Sequence, residues 1–123
     1  MLVSDLDTPA ILIDEQKMER NLERAAEYAR RHGLRLRPHT KTHKSTVLGR
    51  RQLELGAAGL AVAKTTEAEV MMGTGTPDLL VIYPVVGPQK LRRLTELARR
   101  TRVTVSVDSL EAALPISEAA RAA

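Results

Sequence analysis

What most constrains this chain is an alternation: an extended, strand-like run followed by a helix-like run recurs four times after residue 34, roughly every 20 to 25 residues. Leu34-Arg-Leu-Arg37 runs into Pro38, and a weak helix follows from Ser45 to Gly56. Gly59-Leu-Ala-Val-Ala63 reads as a buried strand, and Thr66 with Glu69 as the capping box of a helix that stops at Gly73. Leu79-Leu-Val-Ile-Tyr83 is the strongest strand signal, followed by a helix that opens on Pro88 and carries Leu91, Leu94 and Leu97. Val103, Val105 and Val107 alternate as a strand before a last alanine-rich helix capped by Ser109. Ahead of these units, Ala10-Ile-Leu-Ile13 reads as a short strand. Asp14 caps the helix after it, whose stripe of Met18, Leu22, Ala25 and Ala29 ends at Gly33.

Such alternation implies parallel strands joined by right-handed helical crossovers. Periodicity leaves two architectures open, a small doubly wound sheet or half of an eight-stranded βα barrel, which typically needs about 250 residues. Both gather ligands where strand C-termini meet the following helices. The loops that count are therefore Pro38–Ser45, Lys64–Thr66, Tyr83–Pro88 and Asp108–Ser109.

A length of 123 residues fits one domain. With 43% hydrophobic and 28% charged residues, the chain has the composition of a folded globular protein rather than a disordered one. The absence of cysteine excludes disulfide scaffolds, thiolate metal sites and cysteine nucleophiles. Charges interrupt every apolar stretch well short of a membrane span of about 18 residues. Met1-Leu-Val-Ser-Asp5 has an early acid and no basic region, unlike a secretory signal. A soluble, cytoplasmic chain without membrane contact is expected.

Charge is concentrated. Between Glu27 and Glu54 lie Arg30, Arg31, Arg35, Arg37, Lys41, Lys44, Arg50 and Arg51 with no acid, so this window carries +8 and, against a net charge of +4, the remainder carries −4. The island suggests an anionic ligand such as phosphate or carboxylate. Nucleic acid is the weaker partner for it, because the only aromatics, Tyr28 and Tyr83, do not interleave with the basic residues.

Within the island, Arg37-Pro-His-Thr-Lys-Thr-His-Lys44 sits at a strand end. The stretch reads either as a solvated basic turn or as a reactive site, since crowded cations favour the neutral amine that imine formation requires. His39 and His43 are four apart, but Pro38 disfavours a helix here and no acid is near to complete a metal site. His32 suits a helix C-terminus. Gly73-Thr-Gly-Thr-Pro77 is a turn that matches no phosphate-loop pattern. Asp108 is more simply a helix cap than a pocket residue, and Tyr83 places a hydroxyl at the mouth of the sheet.

At Arg37-Pro-His-Thr-Lys-Thr-His-Lys44 the chain resembles the D-threonine aldolase and D-serine dehydratase branch of the alanine racemase-like enzymes, which are fold-type III pyridoxal phosphate proteins. Asp5-Leu-Asp-Thr-Pro-Ala10, Ala61-Val-Ala-Lys-Thr-Thr-Glu-Ala-Glu69, Leu80-Val-Ile-Tyr-Pro-Val-Val-Gly87 and Val105-Ser-Val-Asp-Ser109 resemble the same branch in the same order. The resemblance implies an α/β fold: a partial (βα)8 TIM-type barrel of about the first four βα units, preceded by a short N-terminal strand and helix. It implies a lyase using pyridoxal 5'-phosphate on a small D-amino acid, with Lys41 as the Schiff-base lysine and Lys44 placed too far past the strand end. His39 and Arg37 would support the cofactor site, together with Tyr83 at its mouth.

Members of this branch are considerably longer. The groups that hold the cofactor phosphate and ring nitrogen, and a divalent metal, come mainly from parts with no matching positions here. Residues 1–123 are therefore expected to be the N-terminal part of the barrel domain, lacking the C-terminal half-barrel and β-domain. Such a piece is expected to associate as a homodimer or with its missing half. Two other readings stay open: a non-catalytic protein that binds pyridoxal phosphate, and an inert fragment with a basic anion-binding patch.

Overall fold

Leu60, Val62, Leu79 and Val81 are shielded completely from solvent, and the fold is organised around them. A computed structural model describes residues 2–123. The four side chains belong to β1 (Leu60–Val62) and β2 (Asp78–Val81), which pair in parallel with β3 (Arg102–Val105) in the order β1-β2-β3. Leu60 lies beside Leu79 and Leu79 beside Val103; Val62, Val81 and Val105 form the next rung. Because side chains alternate along a strand, these rungs share one face. Against it pack α3 (Thr65–Met71) through Ala68 and Met71, and α4 (Pro88–Ala98) through Leu94 and Leu97. Each fully buried aliphatic side chain contributes about 1.5–3 kcal/mol relative to solvent exposure.

The remaining helices are α1 (Glu15–Arg31), α2 (Thr46–Glu54) and α5 (Leu110–Ala122). Helices α2 to α5 form a layer in which each touches the next. In-register Ala61, Leu80 and Thr104 turn to the opposite face, with exposure rising from buried Ala61 to exposed Thr104. A parallel sheet covered on one face by the helices that connect its strands has the layering of a barrel wall. Among the described residues no helix is long and apolar enough to cross a membrane.

Local chemistry starts the helices where the sequence indicates. Asp14 accepts from Lys17 N at 2.9 Å, Ser45 from Leu48 N at 3.3 Å and Ser109 from Ala112 N at 3.3 Å. Pro88 occupies the first turn of α4, where its missing N–H costs nothing. Of the expected stripe on α1, Met18 and Leu22 are half-buried and Ala29 is buried, but Ala25 is exposed and Ala26 turns inward in its place.

Three expectations fail. Ala10–Ile13 forms no strand, and Ile11 is 97% exposed; an apolar run becomes a strand only where a neighbour offers a ladder, and none reaches this one. The expected first barrel strand makes a single bridge, His39 beside Ala61, so the ladder has three strands rather than four. Leu36 O accepts from Ala58 N at 2.8 Å and Pro38 O from Ala61 N at 2.8 Å, while Thr40 N donates to Ala61 O at 2.9 Å. Pro38 has no N–H to extend this ladder backwards. Forwards, Thr40 O is taken by Lys44 N at 2.8 Å and Ala63 N by the Glu67 carboxylate. Finally, the Thr66–Glu69 capping box is not formed: the helix is capped two residues earlier, at Lys64, and Glu67 is the acid in its first turn.

Candidate functional site at the strand ends

The stretch Arg37–Lys44 passes from the bottom of the sheet to its mouth, and its residues are used differently at the two ends. Arg37 lies at the N-terminal edge. Its Nε donates to Asp78 Oδ1 at 3.0 Å and its Nη2 to Asp78 Oδ2 at 2.7 Å, a two-pronged pair on the first residue of β2. Arg102 and Arg35 stand 3.7 and 3.9 Å from the same carboxylate. Arg37 holds the buried Asp78 carboxyl below the usual range, with Arg102 and Arg35 adding to the effect and burial opposing it. Gly59 makes this possible, since a Cβ there would fall 2.3 Å from Asp78 O.

At the C-terminal end Thr40 is buried, and its Oγ1 donates to Ala61 O at 3.3 Å. The chain then breaks into a turn that exposes Lys41. Lys41 N donates to His39 Nδ1 at 3.1 Å. The Lys41 amine makes no ion pair among the described residues. His43 repeats the device, accepting from Ser45 N at 3.0 Å. Burial lowers its pKa below the ordinary histidine value. Each imidazole is thus engaged by the backbone two residues on, and the two do not act as a pair. Among the described residues no three His, Asp or Glu side chains come together as a metal site would require.

Tyr83 is at the same end of the sheet as Lys41, in the loop after β2, where it is exposed and its hydroxyl bonds no described group. The structure therefore brings Lys41 and His39 into one turn, places Tyr83 at the same mouth, and sends Arg37 to the opposite end. An apolar cavity of about 300 Å³ between β3, α4 and α5 is lined by Leu94, Val103, Val105 and Ile116 and carries no reactive group. It is a packing gap on the helix side. Two acids at critical positions, Asp78 and Glu67, escape sequence reading. Asp78 looks like a turn residue after Pro77, and Glu67 is one of two acids in a short helix whose cap lies two residues before the expected Thr66.

Residues 13–123 match the family model of the alanine racemase N-terminal domain. The chain belongs to the alanine racemase N-terminal domain family. The match runs from just before α1 to the end of α5 and takes in the whole sheet and the Lys41 turn. This family member is 39% identical over 114 residues to a D-threonine aldolase of Arthrobacter sp., covering 93% of this chain. It is 40% identical over 114 residues to a D-threo-3-hydroxyaspartate dehydratase of Delftia sp. (strain HT23), covering 91%. The crystal structure of D-threonine aldolase from Filomicrobium marinum superposes with a TM-score of 0.92 at 42% identity, over 98% of this chain and 32% of that one. The chain spans about 30% of the length of the curated relatives it matches.

Proposed function

We propose that residues 1–123 are the cofactor-lysine-bearing part of an alanine racemase-like barrel domain. The activity assigned is that of a pyridoxal-phosphate-dependent lyase on D-amino acids, by aldol cleavage or dehydration. The observation that carries this reading is Lys41, an exposed amine without an ion pair among the described residues, at the C-terminal mouth of a parallel sheet. Its substrate class follows from the relatives: D-threonine, 3-hydroxy-D-aspartate and D-serine, which those enzymes are named for, are all D-amino acids with a β-hydroxyl.

The residues present suit the aldehyde end of the cofactor, because Lys41 presents an exposed primary amine without an ion pair among the described residues, on a backbone held by His39. When bound, pyridoxal phosphate supplies an electron sink for carbanion or retro-aldol chemistry at the amino acid. Lys41 holds it. His39 orients the lysine by accepting its backbone N–H, and Tyr83 offers a hydroxyl at the same mouth. Arg37 supports from below, tying the lysine-bearing segment to β2 through Asp78. Closing an eight-stranded barrel takes about 250 residues, so further polypeptide completes the domain. On this reading the cofactor phosphate and ring nitrogen, and any divalent metal, would be held by residues outside 1–123.

The test is to mix the chain with pyridoxal phosphate, reduce with borohydride and map the modified lysines. Label confined to Lys41, and lost in Lys41→Ala, is the expected result. Label scattered over Lys17, Lys44 and Lys90, or label retained by Lys41→Ala, overturns the assignment.

A further inference from the structure

The turn that carries Lys41 ends on the one non-glycine residue with a left-handed backbone among the described residues, Lys44, at φ 49°. Lysine has no local reason to adopt that conformation, since asparagine and glycine take it far more readily. Such an outlier persists only where surrounding contacts over-determine it. Here those contacts converge on one side chain. Lys44 Nζ stands 3.5 Å from Glu67 Oε1, and Lys44 N donates to Thr40 O at 2.8 Å, closing the turn. The other carboxylate oxygen, Glu67 Oε2, accepts from Ala63 N at 2.8 Å, the first backbone N–H beyond β1. Glu67 is only 11% exposed although it belongs to a surface helix. Burial works to raise its pKa, but the Ala63 N–H and Lys44 prevail and keep it lowered, hence ionised.

From this geometry we infer that Glu67 is a positioning residue for the lysine turn, clamping Lys44 against the end of β1 so that residues 40–44 hold one conformation and present Lys41 at the mouth. The inference rests on the proposed role of Lys41. Without the clamp, Lys44 has every reason to leave the left-handed region, and the turn opens from its far side. Arg37 cannot substitute for it, because Arg37 acts at the other end of the sheet.

Amide hydrogen exchange on the whole chain without cofactor tests the clamp, with the Leu79 and Val81 amides of β2 as internal reference. In Glu67→Gln and in Lys44→Met, exchange at the Lys44 amide should accelerate at least tenfold relative to β2, whereas Lys44→Arg, which restores the ion pair, should exchange as the native chain does. With pyridoxal phosphate and borohydride, the share of label on Lys41 should fall at least threefold in the first two variants and recover in Lys44→Arg. Lys44→Met leaves Glu67 on Ala63 N, so it reads the clamp even if Glu67→Gln fails to fold. Unchanged exchange at Lys44 in Lys44→Met overturns the inference, as does faster exchange with an unchanged share of label on Lys41. A native chain that takes no label at Lys41 defeats the proposed function instead, and exchange alone then decides whether Glu67 anchors the turn.

Discussion

The two ends of the sheet solve opposite problems with the same residue types. At the N-terminal edge, three arginines converge on one buried carboxylate, and Arg37 spends both prongs of its guanidinium on Asp78. At the mouth, two lysines and two histidines lie within six residues, yet Lys41 has no ion-pair partner among the described residues and each imidazole serves only the backbone. One end is charge-saturated and buried, the other charge-rich and open. The two ends of one extended segment are thereby used differently: the bottom keeps it in place, and the mouth keeps an amine exposed.

The contrast is broken most severely from below. Asp78→Ala leaves Arg37 half-buried without its partner and should cost about 3 kcal/mol, at the low end for a broken buried pair, measured as a lower midpoint of urea unfolding. The same pair gives a pH signature. The folded pKa of Asp78 is depressed, so its contribution is complete above the unfolded aspartate value of about 3.9. It is lost as pH falls through the lower folded pKa. Acid unfolding of Asp78→Asn should lack that component, and an acid limb identical to the native one would remove Asp78 from its assigned place.

Gly59→Ala drives a methyl group onto Asp78 O. Backbone cannot yield as a flexible side chain would, so a loss of about 2 kcal/mol is expected, read by thermal unfolding. Ser45→Ala, nearer the mouth, removes the cap of α2 and should cost about 1 kcal/mol, seen in the same unfolding curves. Lys41→Ala completes the comparison at its small extreme. As an exposed residue without partners it should change stability by less than about 0.5 kcal/mol while abolishing cofactor labelling. A large loss of stability in that variant would mean that the mouth, too, is structural.

Much of this was legible in the chain. Three of the five strand-like runs became β1, β2 and β3, and the caps at Asp14, Ser45 and Ser109 and the opening Pro88 act within a few residues of themselves. The Ala10–Ile13 run shows where that legibility stops. Its composition matches a strand, but a strand is a relation between segments, and this one finds no partner. Arg37 shows the same limit in the site: its neighbours in sequence group it with Lys41, whereas its hydrogen bonds belong to Asp78, forty-one residues away.

By itself, then, the sequence determined what is local and periodic: the alternation of elements, the helix starts, and the concentration of cations around Lys41. Tertiary structure alone decided which of those cations are neutralised. It gave Arg37 to Asp78 and Lys44 to Glu67 and left Lys41 free, because ion pairing depends on distances of a few ångströms between segments that only the packed sheet and helices bring together.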